Sequence, residues 1–444
     1  MAVDQQIDVE RREVDSMAPV PPIEIEAPAL SEGVSDFAKI VIEHLEIVRG
    51  LCEASREKKN FRERYDRDER RARVNVDLVM TADGAIDRAA SKDPHAESGV
   101  TLGWSLQAMR NAAAFISAQI FRSSRYPFRL VPRGQRDENE TLEKIFYPVI
   151  EALLRRGDFK RRFRQYLTKL IPRNGTAIMR YEMQAETRWY PVDEPGEGAD
   201  NWRESDPTIR PSFIPWPLDL CWVTNADLPE VQDQEGIFWL TPKATLATLE
   251  AQEAKIYPGG EDAGGKFRNL DFVREILGQI QRTVSVGGAD TTNRAARVSG
   301  FPTCNLFEYE GRLPTLFWTM NEDLMPEVAR FFGIKIPPPE GRDRPEAWPV
   351  WEEEAERKEW SRKVAQIPVW KVAYAADWTN SDAVDSRLQR HLLQLEPARG
   401  PDPYRKSMYR FTFTQNGLDF YGRSISDLGC GPEDAADSKI NVAV

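Results

Sequence analysis

Residues 155–182, RRGDFKRRFRQYLTKLIPRNGTAIMRYE, contain the change from helix to strand that decides the fold class. Apolar side chains recur in its first part at helical spacing, at Phe159, Phe163, Tyr166, Leu167, Leu170 and Ile171. Pro172 is expected to end this helix, since proline cannot donate the next helical hydrogen bond. Asn174-Gly175 is a turn dipeptide, and Thr176–Glu182 after it has the pattern of a strand.

The chain before this stretch carries helical patterns. One helix is predicted over Ser35–Cys52 with Ser35 as N-cap, and another over Leu102–Phe121. A third helix is predicted to contain Pro148 and to kink there. Its apolar positions are Leu142, Ile145, Phe146, Val149, Ile150, Leu153 and Leu154. Gly157 is expected to end that helix, and Asp158 is expected to cap the next one.

After residue 173, short strand patterns are mixed with helical ones. The predicted strands are Ile209–Trp216, Thr303–Tyr309, Leu313–Trp318, Ile367–Tyr374 and Met408–Thr414. Thr241-Pro242 is predicted to start a helix, with the threonine as N-cap and the proline in the first turn. Another helix is predicted over Leu270–Arg282. Helices first and mixed elements afterwards predict an α+β fold.

The chain divides into five segments by composition. Residues 1–35 are predicted to be a disordered acidic arm, because prolines interrupt them and they hold eight acidic and two basic side chains. Residues 36–172 are predicted to be mainly helical, and residues 173–335 to be a mixed helix and strand region. Residues 336–365 are predicted to be a charged surface insertion, and residues 366–444 to be strands that lead into the start of another helix.

Composition limits the function classes. The 444 residues are 41% hydrophobic and 30% charged, which is typical of a globular protein. The formal net charge is −11, and the arm contributes −6 of it. Such a chain is not expected to coat nucleic acid with its whole surface, because coating requires many cations. The acidic start is unlike a secretory signal, and the most apolar stretch, Asn111–Phe121, is too short to cross a membrane.

Patterns for catalysis or cofactor binding are few. Gly260–Phe267 has the G-x4-G-K spacing, but Phe267 replaces the hydroxyl that would hold Mg²⁺, so a loop is predicted. Four acidic residues within seventeen positions could form a carboxylate metal site or an ordinary acidic surface: Asp219, Asp227, Asp233 and Glu235. The four cysteines and three histidines are scattered, which indicates buried thiols rather than a metal site. We therefore predict no enzyme activity, no cofactor and no metal.

Two stretches are rich in basic residues. Arg56–Arg73 holds nine basic and five acidic residues, which favours a solvated helix face with nucleic-acid contact as the alternative. Arg155–Arg173 holds eight basic residues and one acidic residue. This second stretch is either a solvated helix face or a contact with DNA or with an acidic partner. The candidate DNA or subunit contacts are Arg155, Arg156, Lys160, Arg161, Arg162 and Arg164.

Four segments, taken in order, resemble portal proteins of tailed bacteriophages, of the larger kind found with short-tailed phages. The first is Arg125–Arg133, followed by an acidic turn and a long amphipathic helix. The second is the helix, turn and strand of Phe159–Arg180. The third is Phe213–Leu228, where an apolar strand precedes a Pro, an Asp and a turn. The fourth comprises Tyr404–Thr414 and Leu418–Leu428, where portal chains pass through F-Y/x-G-x-S/G-apolar-x-D-L into a long helix.

The end of the fourth segment is the most similar part, and its chemistry fits a helix start. Gly422 supplies a tight turn, Ser424 or Ser426 can cap a helix, and Asp427 in the first turn favours the helix dipole. The Gly-Cys-Gly-Pro sequence that follows departs from the portal pattern. It is expected to delay the helix to about Glu433.

The resemblance implies a mechanical role. A homo-oligomeric ring of about twelve subunits would occupy one capsid vertex, and a separate terminase ATPase would drive double-stranded DNA through it. Scaffold or capsid protein and head-completion proteins would be further partners. The protein would belong to the virion and be assembled in the host cytoplasm, without membrane contact. Residues 173–335 would form a wing-like region, and the chain would be the outer part of a longer protein.

Two alternatives stay open. Another virion structural protein, such as a neck or tail adaptor, would form oligomers of different symmetry. A carboxylate-dependent nuclease or nucleotide hydrolase would show metal-stimulated turnover that Asp219→Ala or Lys266→Ala abolishes.

Overall fold

The fold is described from a computed structural model. The described residues are 32–72, 79–80, 86–87, 104–121, 136–186, 189–191, 202–204, 208–253, 267, 270, 273–274, 303–320, 323–332, 334, 358, 362, 364–377, 390–398, 405–414, 417, 419–425 and 427–428. Helices dominate the described residues up to 174, and antiparallel strands dominate after them. The predicted α+β class is therefore confirmed.

The elements are numbered along the chain. The helices are α1 Glu32–Glu57, α2 Phe61–Ala72, α3 Trp104–Ile120, α4 Arg136–Arg156, α5 Phe159–Arg162, α6 Thr168–Asn174, α7 Leu246–Glu253, α8 Thr315–Met320 and α9 Met325–Phe332. A π-helical turn, Phe163–Leu167, joins α5 to α6. The strands are β1 Val79–Met80, β2 Ile86–Asp87, β3 Thr176–Glu186, β4 Trp189–Pro191, β5 Trp202–Glu204, β6 Thr208–Trp216, β7 Cys221–Val223, β8 Gly236–Thr245, β9 Thr303–Gly311, β10 Trp370–Ala376, β11 Arg390–Pro397 and β12 Met408–Thr412.

An antiparallel sheet in the order β11-β10-β9-β8-β7 forms the larger core. Side chains alternate along β10, so Trp370 and Tyr374 face one side while Ala373 and Ala375 face the other. On the first side, α1, α8 and α9 pack against the sheet. Trp318 of α8 stacks on Trp370 with ring centroids 4.5 Å apart. Because helices cover one face and α7 covers part of the other, β10 is buried from both sides.

A second antiparallel sheet has the order β12-β3-β6. The alternation of β3 divides its contacts between two clusters. Ile178 packs with Phe61 of α2 and with β7 and β8 of the larger sheet. Ala177 and Met179 face the opposite cluster, which holds residues of the π-helical turn, α6 and β6. The smaller sheet therefore lies between α2 and the basic stretch around residue 160.

Buried ionic groups connect the two sheets. Arg180 of β3 donates to Glu308 of β9 over 3.2 and 3.3 Å, and it also pairs with Glu182. The indole of Trp239 donates to the same Glu308 carboxylate over 2.7 Å. On the next pleat, Glu310 accepts from the Ser407 amide and hydroxyl. Since buried charges require such partners, this network fixes how the two sheets are aligned.

Several sequence predictions are confirmed by the structure. α3 matches the helix predicted over Leu102–Phe121. The strand predicted from Thr176 is β3, and it extends to Glu186. β6, β9, β10 and β12 match four further predicted strands, with shifts of up to three residues at their ends.

Two boundary predictions are wrong in the helical region. α1 begins at Glu32 rather than after Ser35, so Ser35 lies inside the helix. Pro172 does not end the helix, since α6 continues to Asn174. Proline removes only one donor, and the burial of Ile171 and Pro172 against the core stabilises the turn that contains it.

Two further predictions are wrong in the mixed region. Leu313–Trp318 is not a strand: α8 occupies Thr315–Met320, because a short apolar run does not distinguish helix from strand and helical spacing buries Trp318. Thr241-Pro242 does not start a helix. β8 passes through it with a register shift before Ala244, and α7 starts later. Thr245 is the residue that caps α7, accepting from the Thr248 amide over 3.2 Å.

Other predictions lie outside the described residues. They are the acidic arm up to residue 31, the portal-like segment Arg125–Arg133, the G-x4-G-K loop up to Lys266, most of Leu270–Arg282 and most of the insertion at 336–365. The division into five segments stays a prediction.

Candidate functional site

The chain segment at Ser424 begins a helix through a reciprocal cap. The Asp427 amide donates to the Ser424 hydroxyl over 3.0 Å, and the Ser424 amide donates to Asp427 Oδ2 over 3.0 Å. This is the capping-box arrangement, here with Asp in place of Glu, and helical residues follow from Ile425. The sequence therefore identified Ser424 and Asp427 correctly as cap and first-turn acid. The helix expected to start at about Glu433 lies outside the described residues, and the cap adds helical residues before it at Ile425, Asp427 and Leu428.

Two arginines of α2 hold the same carboxylate. Arg64 donates to Asp427 Oδ2 over 2.7 Å and to the Gly422 carbonyl over 2.9 Å, and Arg67 pairs with Asp427 Oδ1. Burial raises the pKa of the Asp427 carboxyl, but hydrogen bonds from Arg64 and the Ser424 amide outweigh it, so the net shift is downward. Asp427 is therefore held ionised between a helix N-terminus and two guanidinium groups.

Gly422 is required by close backbone approach. A Cβ at this position would lie 2.6 Å from the Gly175 carbonyl oxygen and 2.8 Å from the Thr414 carbonyl oxygen. Gly175 itself has φ +70°, the left-handed conformation expected of the Asn-Gly turn. The Gly422 amide donates to the Thr176 hydroxyl over 2.7 Å. The predicted tight turn at Gly422 thus closes against the turn that precedes β3.

Asp68 lies beneath this cap and is almost fully buried. Desolvation raises the pKa of its carboxyl to about 6, with the nearby Asp427 charge acting in the same direction and Ser424, Arg67 and Arg64 opposing it. One of its oxygens has no hydrogen-bond partner. We call Arg64, Arg67, Asp68, Ser424 and Asp427 the cap cluster. In this cluster the ionised form of Asp427 is stabilised, whereas burial destabilises the ionised form of Asp68.

The remaining charges of this region are also engaged across the fold. Lys59, between α1 and α2, bonds to Asp419 over 2.8 Å and pairs with Asp227. Glu69 pairs with Arg173 at the end of α6. The predicted solvated face of α2 is present at Arg62 and Asp66, which are exposed, but the opposite side packs into the core through Phe61, Tyr65 and Asp68. That spacing of four and three residues was present in the sequence and could have revealed the buried side.

The six candidate contact residues surround the junction of α4, α5 and the π-helical turn. Arg155 and Arg161 are exposed and pair locally with Glu151 and Asp158, while Arg156 is exposed. The other three contact neighbouring elements. Arg162 donates to the Phe213 carbonyl over 3.0 Å, and Lys160 and Arg164 lie over the Phe121 ring at 5.6 and 5.0 Å. We call these six residues the basic surface.

The turn between α4 and α5 differs from its prediction. Asp158, not Gly157, adopts the left-handed conformation, with φ 57°. Asp158 makes no side-chain cap, and its carboxylate pairs with Arg161 instead. Gly157 is needed for space, because a Cβ there would lie 2.5 Å from the Pro211 carbonyl oxygen. Gly157 ends α4 as predicted, so the turn presents its arginines beside β6.

The apolar side predicted for α4 is divided in the structure. Leu154 packs beside Phe159 and Phe213 in the core. Ile145, Phe146 and Val149 are 56%, 49% and 52% exposed. The apolar residues predicted along α4 therefore divide between the core and solvent. The described structure leaves the middle of α4 with an apolar face toward solvent.

The acidic residues considered as an alternative metal site do not form a metal-binding group within the described part of the chain. Asp219 accepts from the Tyr65 hydroxyl over 3.3 Å, Asp227 pairs with Lys59, and no group of three potential ligands is assembled among the described residues. Cys52, Cys221 and Cys304 are free and buried, as predicted, and burial raises the pKa of their thiols. Within the described helices, none is long and apolar enough to cross a membrane.

No protein-family profile matches the chain, and no curated protein is significantly similar to it.

Proposed function

We propose that this chain is a structural subunit of a bacteriophage portal, a ring at one capsid vertex through which double-stranded DNA is packaged and ejected. The sequence resemblance provides the starting point, and it is most specific at Leu418–Leu428. The proposed partners are further copies of the chain, in a ring of about twelve, together with a terminase, scaffold or capsid protein and head-completion proteins. The proposed location is the virion, assembled in the host cytoplasm, and the role is not catalytic.

The fixed helix start at Ser424 is the observation that supports this proposal most. In a ring through which DNA is forced, the helices that approach the channel must be held at one angle relative to the outer body. Arg64 and Arg67 attach Asp427 to α2, and α2 is itself packed on the smaller sheet through Phe61. The chain thus begins a helix from a rigid support, as a subunit with a stem requires.

The distribution of charge is compatible with a DNA conduit. Arg64 and Arg67 of α2 are paired with Asp427 of the same chain, while Arg155, Arg156 and Arg161 of the basic surface are exposed. A portal channel must let DNA pass and leave quickly. Basic residues spread along the whole channel would bind the DNA phosphates and slow this movement. Confined basic groups on an acidic chain avoid this.

Electron microscopy of the purified full-length chain tests the proposal. We expect closed rings of about twelve subunits in negative stain. Asp427→Ala should reduce the fraction of closed rings, whereas Asp36→Ala, which removes an exposed pair with Lys39, should not. A stable monomer at high protein concentration would contradict the portal proposal. Closed oligomers of another symmetry would favour a neck or tail adaptor instead.

A further inference from the structure

Helix α4 carries an exposed apolar row that ends in arginines. Ile145, Val149, Ala152 and Arg156 are separated by four, three and four residues, so they lie along one side of the helix. All four are exposed, and Arg155 beside them is 68% exposed in its side chain. From residue 144 to its end, every exposed ionic side chain of α4 is basic. We call Ile145, Val149, Ala152 and Arg156 the α4 row.

Helix α1 carries a second exposed apolar row. Ile40, Ile47 and Leu51 are separated by seven and four residues, so they share one side of the helix, and they are 43%, 65% and 64% exposed. We call these three residues the α1 row. From residue 40 to its end, the exposed ionic side chains of α1 are both acidic, Glu43 and Glu57. The other side of α1 packs against the larger sheet through three buried residues, Phe37, Val41 and Leu45.

The two rows match each other in length and in polarity. The α1 row runs from residue 40 to residue 51 and the α4 row from residue 145 to residue 156, so each is about 16 Å long. Both rows are exposed, so they do not cover each other within one chain. Contiguous exposed apolar side chains mark surfaces that bind another protein. A contact between the two rows therefore requires two copies of the chain.

Charge selects this contact over the two symmetric ones. Packing α1 on α1 would bring the acidic Glu43 and Glu57 together with their own copies, and packing α4 on α4 would do the same for Arg155 and Arg156. Like charges facing each other across an interface are unfavourable, whereas α1 on α4 brings acids to arginines. We infer that α1 of one copy packs on α4 of a second copy, with the two apolar rows in contact.

Such a contact joins two different surfaces, so it is heterologous. Each copy that joins leaves one α1 row and one α4 row open at the two ends of the assembly. Further copies add until the assembly closes into a ring, or it grows as a filament if the rotation does not close. The inference deepens the portal proposal by naming the contact between subunits, and it rests on that proposal in assuming that the chain assembles with itself.

Thiol cross-linking of the full-length chain tests the inference. The test variant carries Ile47→Cys and Val149→Cys, and the control carries Ile47→Cys and Leu316→Cys. Leu316 is a suitable control because it is apolar, 59% exposed and lies on α8, outside both rows. All variants also carry Cys430→Ser, and the native thiols at 52, 221 and 304 are buried. The reagent is a bis-maleimide that spans about 10 Å, the distance between the axes of packed helices.

We expect the test variant to form a ladder of covalent dimers, trimers and larger species on a denaturing gel, several-fold stronger than that of the control. Peptide mass spectrometry should show position 47 of one chain linked to position 149 of another. Ile47→Cys alone and Val149→Cys alone should give no ladder, because each chain then carries half of the contact. A ladder from either single variant as strong as that of the test variant would overturn the inference. A 47–149 link found only within one chain would also overturn it.

Charge reversal tests the pairing of acids with arginines. In the test variant, Glu43→Lys with Glu57→Lys should reduce the cross-linking several-fold, and so should Arg155→Glu with Arg156→Glu. All four changes together should restore it, because the two helices again carry opposite charges. Cross-linking that stays reduced in the fourfold variant would contradict the proposed pairing of α1 with α4.

Light scattering before cross-linking separates this inference from the portal proposal. Closed species of about twelve chains that lack the 47–149 link would overturn the inference alone. The link in an assembly of another size would support the inference and contradict the portal proposal. A mass of one chain at every concentration would contradict both.

Discussion

Helix α2 and the α4–α5 junction are both rich in basic residues, yet their charges have different surroundings. In α2, Arg64 and Arg67 bond to Asp427, a residue about 360 positions away in the chain. At the junction, Arg155 and Arg161 pair only over one helical turn in the contacts seen, and their side chains are 68% and 62% exposed. The first set of charges contributes to the fold, and the second is available for recognition.

The comparison shows that the contacts of its side chains, rather than its amino-acid composition, determine whether a basic helix stabilises the fold or remains open to other molecules. An ion pair on the surface contributes little to stability, because water already solvates both charges. A pair shielded by the fold cannot lose one member without leaving an unpaired charge. Substitutions in the cap cluster should therefore change the free energy of unfolding, whereas substitutions in the basic surface should not.

The largest effect is expected for Asp427→Ala. The substitution removes a helix cap and the carboxylate shared by Arg64 and Arg67. It should lower the free energy of unfolding by about 2–4 kcal/mol, as measured by urea denaturation. Asp36→Ala, at an exposed pair, is the matched control and should change it by less than about 0.5 kcal/mol. Equal effects of the two substitutions would mean that α2 is as solvated as the α4–α5 junction.

Gly422→Ala should have the next largest effect. Its Cβ would meet two backbone carbonyl oxygens, and backbone cannot move aside as a flexible side chain can. We expect a loss of about 1–3 kcal/mol in the same denaturation experiment. Gly50→Ala is the control, since nothing lies within 4 Å of its added Cβ and alanine favours a helix. If Gly422→Ala is as stable as the parent, the turn at Gly422 does not close against Gly175.

Asp68 gives a smaller effect that depends on pH. Its carboxyl holds a proton more tightly when folded, with a pKa of about 6, than when unfolded, where the pKa is about 4. Its contribution to stability is therefore complete below pH 4 and is lost as the pH rises through 6. Asp68→Asn should be more stable than the parent at pH 7.5, and this advantage should shrink by about 1 kcal/mol at pH 5. A difference that stays constant with pH would show that Asp68 is not buried in this way.

The smallest effect on stability is expected in the basic surface. The triple substitution Arg155→Gln, Arg156→Gln and Arg161→Gln should change the free energy of unfolding by less than about 0.5 kcal/mol. The urea midpoint of the triple variant measures it. A loss of more than 1 kcal/mol would show that these arginines have structural partners, as those of α2 do.

The sequence predicted local features better than distant ones. The Asn-Gly turn before β3 and the cap at Ser424 depend on a few adjacent residues, so their chemistry could be recognised directly. The role of α2 could not be recognised in this way, because Lys59 and Arg64 find their carboxylates at Asp419 and Asp427 only after folding. Tertiary contacts likewise decided α8, where packing against Trp370 selects a helix from a sequence that also suits a strand.

The basic surface shows a similar limit. Its six residues were identified from charge alone, and the structure brings them together around one junction. Charge did not show that Arg162 bonds to the Phe213 carbonyl or that Lys160 and Arg164 cover the Phe121 ring. It also did not show that the neighbouring face of α4 is exposed. These features depend on which side of each helix meets the smaller sheet.

The mass of the purified full-length protein in solution tests the central claim most directly. Multi-angle light scattering over a range of concentrations would measure it without fixing or staining the sample. The portal proposal predicts one closed species with a mass of about twelve chains that persists on dilution, as expected of a closed ring. A mass of one chain at every concentration would contradict the proposal.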